Sequence, residues 1–557
     1  MDTTTELKSL LEKAVAKIAE ENGAQLPENF AVKLERPRQE GHGDWATNVA
    51  MQLAKPLGKN PRELAQQIVS ALEESKLVSS AEVAGPGFIN LRLSANWISD
   101  AIGTIIAQGE KFGRVNDGKG KKIQLEFVSA NPTGPLHMGH GRGAAVGDIT
   151  ARLLKAAGYD VTCEYYVNDA GLQMELLGQS ARARYFEALG KAEKAPMPED
   201  GYKGEYLEDI AKVYVEKYGD TLAAKPEEEQ LEFFKTETSR LVIESIRKDL
   251  SDFGVDFDVW FSEKSLYKSN AVPTALDSLK AAGYAYEQDE AVWFKSTAFD
   301  DDKDRVLIRA NGVPTYFMSD IAYLKNKYDR GFEKNIYVWG ADHHGYIPRI
   351  RSVNTALGYE DSQLEVLLIQ MVNLLRDGKP VQMSKRAGTI VTLREIMDEV
   401  GRDATRFFFV MRKSDSTLDF DLELAKKATS ENPVFYIQYA HARICSIYRE
   451  LEERGVKLPC IAEFDADKLS TSNEAKLAKV ISRLPEEVSK AAVELAPHRI
   501  AYYATEIAEC FHAFYNSSRI LGVEEDIMKT RLLLVEATRI VLKNVIEILG
   551  ISAPEKM

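Results

Sequence analysis

Apolar positions along the chain change their spacing several times, and each change marks a boundary. Leu7, Leu10, Leu11, Val15 and Ile18 recur at helical spacing, while Gly87 to Leu93 alternates as a strand does, so the first segment reads as a small α+β domain. A run rich in glycine, asparagine and charge, Val115 to Lys122, is the clearest linker, and a new domain is expected to start at Lys122. There Ile123, Leu125 and Phe127 alternate with Gln124 and Glu126. A glycine-rich turn, helical periodicity from Gly139 to Gly158 and an apolar run from Val161 to Val167 come next. Strand, turn, helix and strand make a βαβ unit, which predicts an α/β fold with a parallel sheet covered by helices.

Residues 180–260 are charged and helix-like with no loop signature, which predicts an insertion into that sheet domain. Strand patterns return at Ala291–Ser296 and at Val306–Phe317, the latter turning at Asn311-Gly312. Ile336–Gly340 and Val366–Leu375 read as buried strands. From Asn432 onward, amphipathic runs such as Ala475–Ala492 and Tyr502–Phe514 predict a helical bundle. The expected division is therefore an N-terminal α+β domain (1–115), a sheet core (116–179 and 261–389) with a largely helical insertion (180–260), a connecting helical segment (390–431) and a helical domain (432–557).

A length of 557 residues agrees with several domains. Lys and Arg number 71 against 85 Asp and Glu, a net charge of −14, which excludes a protein that holds nucleic acid by bulk positive charge. The acidity is spread evenly: 13 basic against 15 acidic residues in 1–115, 42 against 51 in 116–429, and 16 against 19 in 430–557. Any nucleic-acid contact must come from local clusters. The densest is Arg376, Lys379, Lys385, Arg386 and Arg394, with only Asp377 and Glu395 nearby; a solvated basic loop is the alternative reading. Four scattered cysteines fit a reducing cytoplasm and no zinc ribbon or redox pair. No signal-peptide pattern opens the chain, and Arg531–Ile551 carries Glu536, Arg539, Lys543 and Glu547, so no membrane span is expected.

Of eight histidines, four fall in two groups, His137-Met-Gly-His140 and Asp342-His-His-Gly345. The first lies between a predicted strand and a predicted helix, within Asn131-Pro-Thr-Gly-Pro-Leu-His-Met-Gly-His-Gly-Arg142. A helix start after a parallel strand offers unpaired N–H groups and a positive dipole end to a phosphate, and Gly139 lets the backbone approach it. Two imidazoles three apart on the first turn can donate to one phosphate group. A third metal ligand at suitable spacing is missing, so no metal site is expected. The second group comes after the strand ending at Trp339, where side chains face the nucleotide crevice of an open sheet; Asp342, with His343 beside it, is a candidate for that crevice, and a satisfied loop aspartate is the alternative.

The first group resembles the motif of the HIGH nucleotidyl-transferase superfamily, which includes the class I aminoacyl-tRNA synthetases. Its second half should be a mobile loop similar to Lys-Met-Ser-Lys-Ser, and Gln382-Met-Ser-Lys-Arg-Ala-Gly388 matches at Met383, Ser384 and Lys385. Gln382 and Arg386 depart from it, which leaves open what supplies the first lysine's charge. The likeness narrows to the arginyl-tRNA synthetases over essentially the whole chain. It is carried by Glu126–His140, Tyr165–Gly171, Tyr316–Asp320, Trp339–Gly345, Met383–Gly388 and Tyr436–Arg443. Glu126 stands in a strand otherwise built for burial, where a guanidinium partner would relieve its cost, and Tyr316 and Asp320 are four apart on a predicted helix. Two carboxylates and a tyrosine suit a planar fork of five donors better than lysine's ammonium. An internal ion pair with a protein arginine such as Arg309 is the alternative for both carboxylates.

The resemblance implies side-chain recognition by Glu126, Tyr316 and Asp320, and contacts from Asn131 and His137 to the substrate's backbone groups. The glutamine that usually completes the family's amino-acid site has no counterpart at Asp342-His343-His344. The implied reaction is ATP-dependent formation of arginyl-adenylate and transfer to tRNA. His137, His140 and Lys385 would act on the phosphates, Gly139, Asp342, His343, Met383, Ser384 and Arg386 would contact ATP, and Mg²⁺ would arrive with ATP. The family needs tRNA bound before it activates arginine. Phe88 and Asn90, two apart in a strand, match an aromatic and amide pair that reads a base of the tRNA elbow; ordinary core is the alternative for Phe88. Tyr436, Tyr439 and Arg443 suit an anticodon-binding bundle, although aromatics at helical spacing also build cores. The partners expected are tRNA for arginine, L-arginine and ATP, with a monomeric protein. Another class I synthetase, a nucleotidyl transferase without tRNA and a non-catalytic RNA-binding paralogue are the competing readings.

Overall fold

The computed structural model describes residues 3–27, 30–37, 42–72, 75, 77–299, 301–381 and 391–557. The N-terminal domain packs α1 (Thr3–Glu21), α2 (Val49–Ala54) and α3 (Pro61–Leu72) on an antiparallel sheet of β1 (Leu34–Glu35), β2 (Trp45–Thr47), β3 (Val78–Ala84) and β4 (Phe88–Leu93), in the order β1-β2-β4-β3. Its core is a cluster of its own around Leu11, Val15, Trp45, Ile68 and Leu91. The next helix, α4 (Ala95–Gln108), buries Ile102 and Ile105 in the main core of the molecule. The boundary expected at 115 therefore lies in the turn before α4. Strand alternation ends at Leu93, but helical spacing alone does not say which core a helix joins.

The central sheet is parallel, built from β5 (Lys122–Glu126), β6 (Asp160–Val167), β7 (Val259–Ser262), β11 (Lys334–Gly340) and β12 (Leu364–Ile369) in the order β12-β11-β5-β6-β7. Helix α5 (Met138–Ala156) links β5 to β6. Because β6 lies on one side of β5 and β11 on the other, the strand order reverses at β5. That is where an open α/β sheet forms its crevice. Helices α6 (Leu172–Ala188), α7 (Glu205–Tyr218) and α8 (Glu227–Asp252) form the expected insertion, with an aromatic core of its own around Tyr185, Tyr214 and Phe234. After β7 come α9 (Lys264–Lys268), α10 (Ala271–Ala281) and a second inserted sheet of β8 (Ala285–Gln288), β9 (Ala291–Phe294) and β10 (Arg305–Ile308).

Two expected strands are cut short. The run from Val306 ends at Ile308, and after the Gly312 turn the Thr315 side chain accepts from the Met318 N–H to start α11 (Tyr316–Asp329). An N-cap threonine outweighs the strand-like spacing around it. Helix α12 (Ile347–Ala356) then packs beside β12. The run from Val366 to Leu375 breaks where the Gln370 N–H turns to the Ser414 carbonyl, 2.8 Å away. Beyond that break the chain enters a separate three-stranded sheet of β13 (Val372–Arg376), β14 (Lys379–Pro380) and β15 (Leu418–Asp421), flanked by α13 (Leu393–Val400), α14 (Arg402–Val410) and α15 (Leu422–Lys426).

The C-terminal bundle comprises α16 (Pro433–Glu453), α17 (Ser472–Ile481), α18 (Leu484–Val493), α19 (His498–Ser517) and α20 (Glu525–Leu549). The helix expected over Ala475–Ala492 is two, because Pro485 in the first turn of α18 cannot continue a helix from α17. Ile437 and Ile444 of α16 share one continuous core with Ile123 and Leu125 of β5, so bundle and sheet are not separated by a solvated linker. The N-terminal domain reaches the bundle through Lys479 to Asp44, 2.6 Å, and Arg36 to Glu486, 3.1 Å. Among the described residues no helix is long and apolar enough to cross a membrane.

Helix α5 holds these layers together. It is buried on nearly every side, against the sheet, α13, α14, α18 and α20. Arg142, fully buried, donates to the carbonyls of Gln370, Lys413 and Ser416, each at 2.8 Å, and so fixes the helix start to the break between β12 and β13. Farther along, Asp148 accepts from the buried Arg406 of α14, whose guanidinium also reaches the Phe253 carbonyl at 3.1 Å. Close approach to β5 requires Gly147, where an added Cβ would lie 2.3 Å from the Phe127 ring. Gly147→Ala should gain about 1 kcal/mol in helix propensity and lose about 1–3 kcal/mol to overpacking. The net effect expected is a lower urea midpoint for the sheet core, followed by tryptophan fluorescence; an unchanged or raised midpoint would show that α5 can move off β5.

Candidate active site

The chain leaves β5 through two left-handed residues, Val128 at φ 67° and Ser129 at φ 39°. A β-branched residue there is strained, and such strain persists only where the surroundings hold it. Here Ser129 Oγ donates to Glu126 Oε1 at 3.0 Å and accepts from the Tyr166 N–H at 3.1 Å, while the Tyr165 hydroxyl donates to the Ala130 carbonyl at 2.8 Å. The kink lifts residues 130–136 over the sheet edge and delivers His137 to the start of α5. Nothing in the sequence pattern announced Val128 or Ser129.

His137 is the N-cap of α5. Its Nδ1 accepts from the N–H groups of Gly139 and His140 at 3.1 and 3.3 Å, and His140 Nδ1 accepts in return from the His137 N–H at 3.4 Å. The rings stack with centroids 3.6 Å apart. An imidazole nitrogen that accepts carries no proton, so both neutral rings are Nε2–H tautomers, hydrogen-bond donors at Nε2. Burial, with the neighbouring His137 adding to it, pushes His140 down to about 3, and its ring stays uncharged at neutral pH. Gly139 packs so closely that an added Cβ would lie 3.0 Å from the His137 ring. The chain returns to this point after Pro380: the Leu393 N–H donates to the Leu136 carbonyl at 2.8 Å, and His137 bridges Thr392. Met383, Ser384, Lys385 and Arg386 lie outside the described residues, but the segment just after them, from Val391, sits against the helix start.

A cleft of about 420 Å³ opens between the C-terminal ends of β5 and β11, lined by Glu126, Ser129, Tyr166, Tyr316, Asp320, Trp339 and Tyr346. The sequence-predicted trio Glu126, Tyr316 and Asp320 is therefore brought together. Tyr316 is exposed, and Asp320 accepts from the Tyr346 hydroxyl. Burial pushes the Asp320 carboxyl up to about 7; Glu263 and Glu126 push the same way, while the Tyr346 hydrogen bond and Lys327 oppose them. Glu126 is not an unpaired carboxylate awaiting a guanidinium. The buried Lys327 lies 2.6 Å from its Oε2, so the internal ion pair exists, with a lysine of α11 instead of Arg309. Asp342 and His343 come after β11 as expected, exposed, with 3.7 Å between carboxylate and Nε2, and His343 also borders the cleft. Asn131 is exposed on the loop before His137.

The comparisons with known proteins match this arrangement part by part. The family described as "Arginyl tRNA synthetase N terminal domain" covers residues 5–93, "tRNA synthetases class I (R), catalytic domain" covers 101–446, and "DALR anticodon binding domain" covers 437–557. The chain belongs to the arginyl-tRNA synthetase family. It is 51% identical to the arginine–tRNA ligase of Carboxydothermus hydrogenoformans over 95% of both chains, and 48% identical to that of Bacillus subtilis over 99% of this chain and 98% of the other. A solved structure described as a putative arginyl-tRNA synthetase from Campylobacter jejuni superposes with a TM-score of 0.76 at 37% identity, covering 84% of this chain and all of that one. The activity is ligation of arginine to tRNA with ATP as substrate.

For an arginyl-tRNA synthetase, the surfaces beyond the cleft also matter. In the N-terminal domain, Phe88 is 37% exposed and Asn90 half-buried on the same face of β4, opposite the buried Ile89 and Leu91, so Phe88 is not core. In the anticodon-binding domain the Arg443 guanidinium sits 4.6 Å from the ring centroids of both Tyr439 and Tyr515, and Tyr436 packs on His512 at 4.3 Å. Of the basic cluster singled out from the sequence, Lys385 and Arg386 lie outside the described residues, Lys379 is exposed, and two members are paired with protein carboxylates. Arg376 is paired with Glu399 and Glu423, and Arg394 with Asp249 and Asp252, all within 2.8 Å. Those carboxylates are distant in sequence from the arginines they pair with, mostly on other elements, which is why local charge counting missed them. Tyr166, Tyr337, Tyr346 and Lys327 were also missed; polar residues on buried elements were the only signal.

Proposed function

We propose that arginine is activated in the cleft at the start of α5 and that the residues gathered there divide the work by charge. The observation that carries this reading is an acidic, aromatic-walled cleft at the end of β5, where the strand order reverses, with the imidazole-capped start of α5 reached by the loop that leaves the same strand. Glu126, Tyr316 and Asp320 take the guanidinium, and Asn131 and His137 the α-amino and carboxylate groups. An oxygen of that carboxylate attacks the α-phosphorus of ATP, the bond to the bridging oxygen breaks, and pyrophosphate leaves. A terminal ribose hydroxyl of tRNA then attacks the carbonyl carbon, and AMP departs. No enzyme nucleophile takes part; the protein positions the reactants and stabilises charge on the phosphate.

His137 and His140 donate from Nε2 to the α-phosphate, and Lys385 neutralises the departing pyrophosphate, with Arg386 supplying charge that Gln382 does not. Gly139, Met383 and Ser384 contact the nucleotide, and Asp342 and His343 its ribose side. ATP enters with Mg²⁺ on its phosphate oxygens, as that hard cation prefers. Phe88 with Asn90 meets the tRNA elbow by stacking and an amide bond, and Tyr436, Tyr439 and Arg443 meet the anticodon stem and loop. The protein works as a monomer in a reducing cytoplasm, where its four free cysteines stay reduced.

Two measurements test this division. With tRNA present, His140→Ala and Lys385→Ala should each slow arginine-dependent pyrophosphate exchange by about 10²-fold or more, the loss expected for one preorganised donor; near-normal exchange in either would remove that residue from the reaction. Asp320, with its raised value, is protonated in the empty cleft below pH 7, and a bound guanidinium lowers it. Arginine binding should therefore release a proton between about pH 5 and 7 and none near pH 9, read by calorimetry in buffers of different ionisation enthalpy. Equal proton release in Asp320→Asn would assign the proton elsewhere.

A further inference from the structure

Lys327 does not line the cleft, yet it is wholly buried directly behind it. It lies on α11 seven residues after Asp320 and eleven after Tyr316, so all three project from one face of the helix. Its Nζ is 2.6 Å from Glu126 Oε2 and sits over the rings of Tyr337 and Tyr323, 3.6 and 4.3 Å from their centroids. Tyr337 and Tyr323 themselves form the cleft wall. The other oxygen of Glu126 accepts from Ser129, so both ends of the carboxylate are fixed from behind and from the side. A second buried carboxylate, Glu164, has its own partners: Arg330 at 2.5 and 2.8 Å and the Tyr323 hydroxyl at 2.5 Å. Glu126 and Glu164 are thus each matched to a protein cation, whereas Asp320, the other carboxylate lining the cleft, has none within ion-pair distance among the described residues.

We infer that Lys327 is a positioning residue for side-chain specificity: it holds Glu126 in one orientation, balances its charge, and leaves Asp320 as the carboxylate that must find its cation on the substrate. This rests on the proposed role of the cleft in binding arginine. A buried carboxylate stripped of its counter-ion takes up a proton. Without Lys327, Glu126 would then present a neutral carboxyl, which can donate to the ureido oxygen of citrulline, the neutral isostere of arginine. The pair should therefore raise discrimination between the two amino acids and not merely stabilise the fold.

The test uses the full chain with tRNA and measures kcat and KM for arginine, ATP and citrulline. Lys327→Met should raise the arginine KM about tenfold or more while the ATP KM and the kcat at saturating arginine stay within about threefold, and the preference for arginine over citrulline should fall by about tenfold. Lys327→Arg should recover part of that preference. Glu126→Gln combined with Lys327→Met leaves no uncompensated buried charge, so it remains informative if the single variant does not fold; it should be no worse for arginine than Glu126→Gln alone. A lower melting temperature with unchanged arginine KM and preference, or additive losses in the double variant, would overturn the inference. Asp320→Asn separates the two levels. If it leaves the arginine KM unchanged, the cleft itself is misassigned; if it raises that KM while Lys327→Met does not, only the role of Lys327 falls.

Discussion

The structure depends on a helix that is buried along almost its whole length except where chemistry must reach it. A buried helix has to satisfy its polar groups internally and approach its neighbours closely. In α5 small residues such as Gly141 and Gly147 meet the second requirement, and Arg142 and the Asp148–Arg406 pair convert much of the remaining polarity into bonds to α14 and to the β12–β13 and α14–β15 connections. The open end is the N-terminus, where unpaired N–H groups and the dipole favour a phosphate. Because its sides are fixed to both sheets and to the bundle, a shift of the tRNA-binding bundle cannot leave the helix start unaffected. The same continuous core joins the site to the domain that meets the anticodon.

Charge is organised on two scales. Overall the chain carries −14, which gives a polyanion no general attraction. Locally, many charges are already spent inside the molecule: Arg376, Arg394, Arg406 and Lys327 all face protein carboxylates. The groups left for ligands are specific. In the proposed reading His140, kept uncharged by burial, and its stacked neighbour His137 would face the phosphate, and Asp320, its carboxyl pushed up by burial, would face a cation, so that each substrate group would meet a partner whose desolvation has already been met by folding.

The motifs and the strand edges they occupy were legible because they depend on short-range order. The βαβ unit, the imidazole pair at the helix start, the Tyr316–Asp320 spacing and the outward side of Phe88 all arise from periodicities of 2 and 3.6. The features that were not legible are long-range. Glu126 looked like a free carboxylate because Lys327 lies 201 residues away, and Arg376 and Arg394 of the basic run looked unpaired because their carboxylates sit mostly on other elements. The strand expected through Phe317 was lost to a single capping threonine, and the one expected across Gln370 to a bond with Ser414. In each case a tertiary or capping bond decided between local patterns of similar strength.

In the proposed reading, catalysis at this site turns on the cap geometry of α5, which would present His137 and His140 to the phosphate as donors from Nε2. Nitrogen NMR of ¹⁵N-imidazole-labelled protein, titrated from pH 8 to pH 5, tests it directly. His140 should keep the shift pattern of a neutral ring protonated at Nε2 across the whole range, since its pKa lies near 3. A His140 ring that titrates with a midpoint near 6.5, the ordinary value for an exposed imidazole, or that carries its proton on Nδ1, would contradict it.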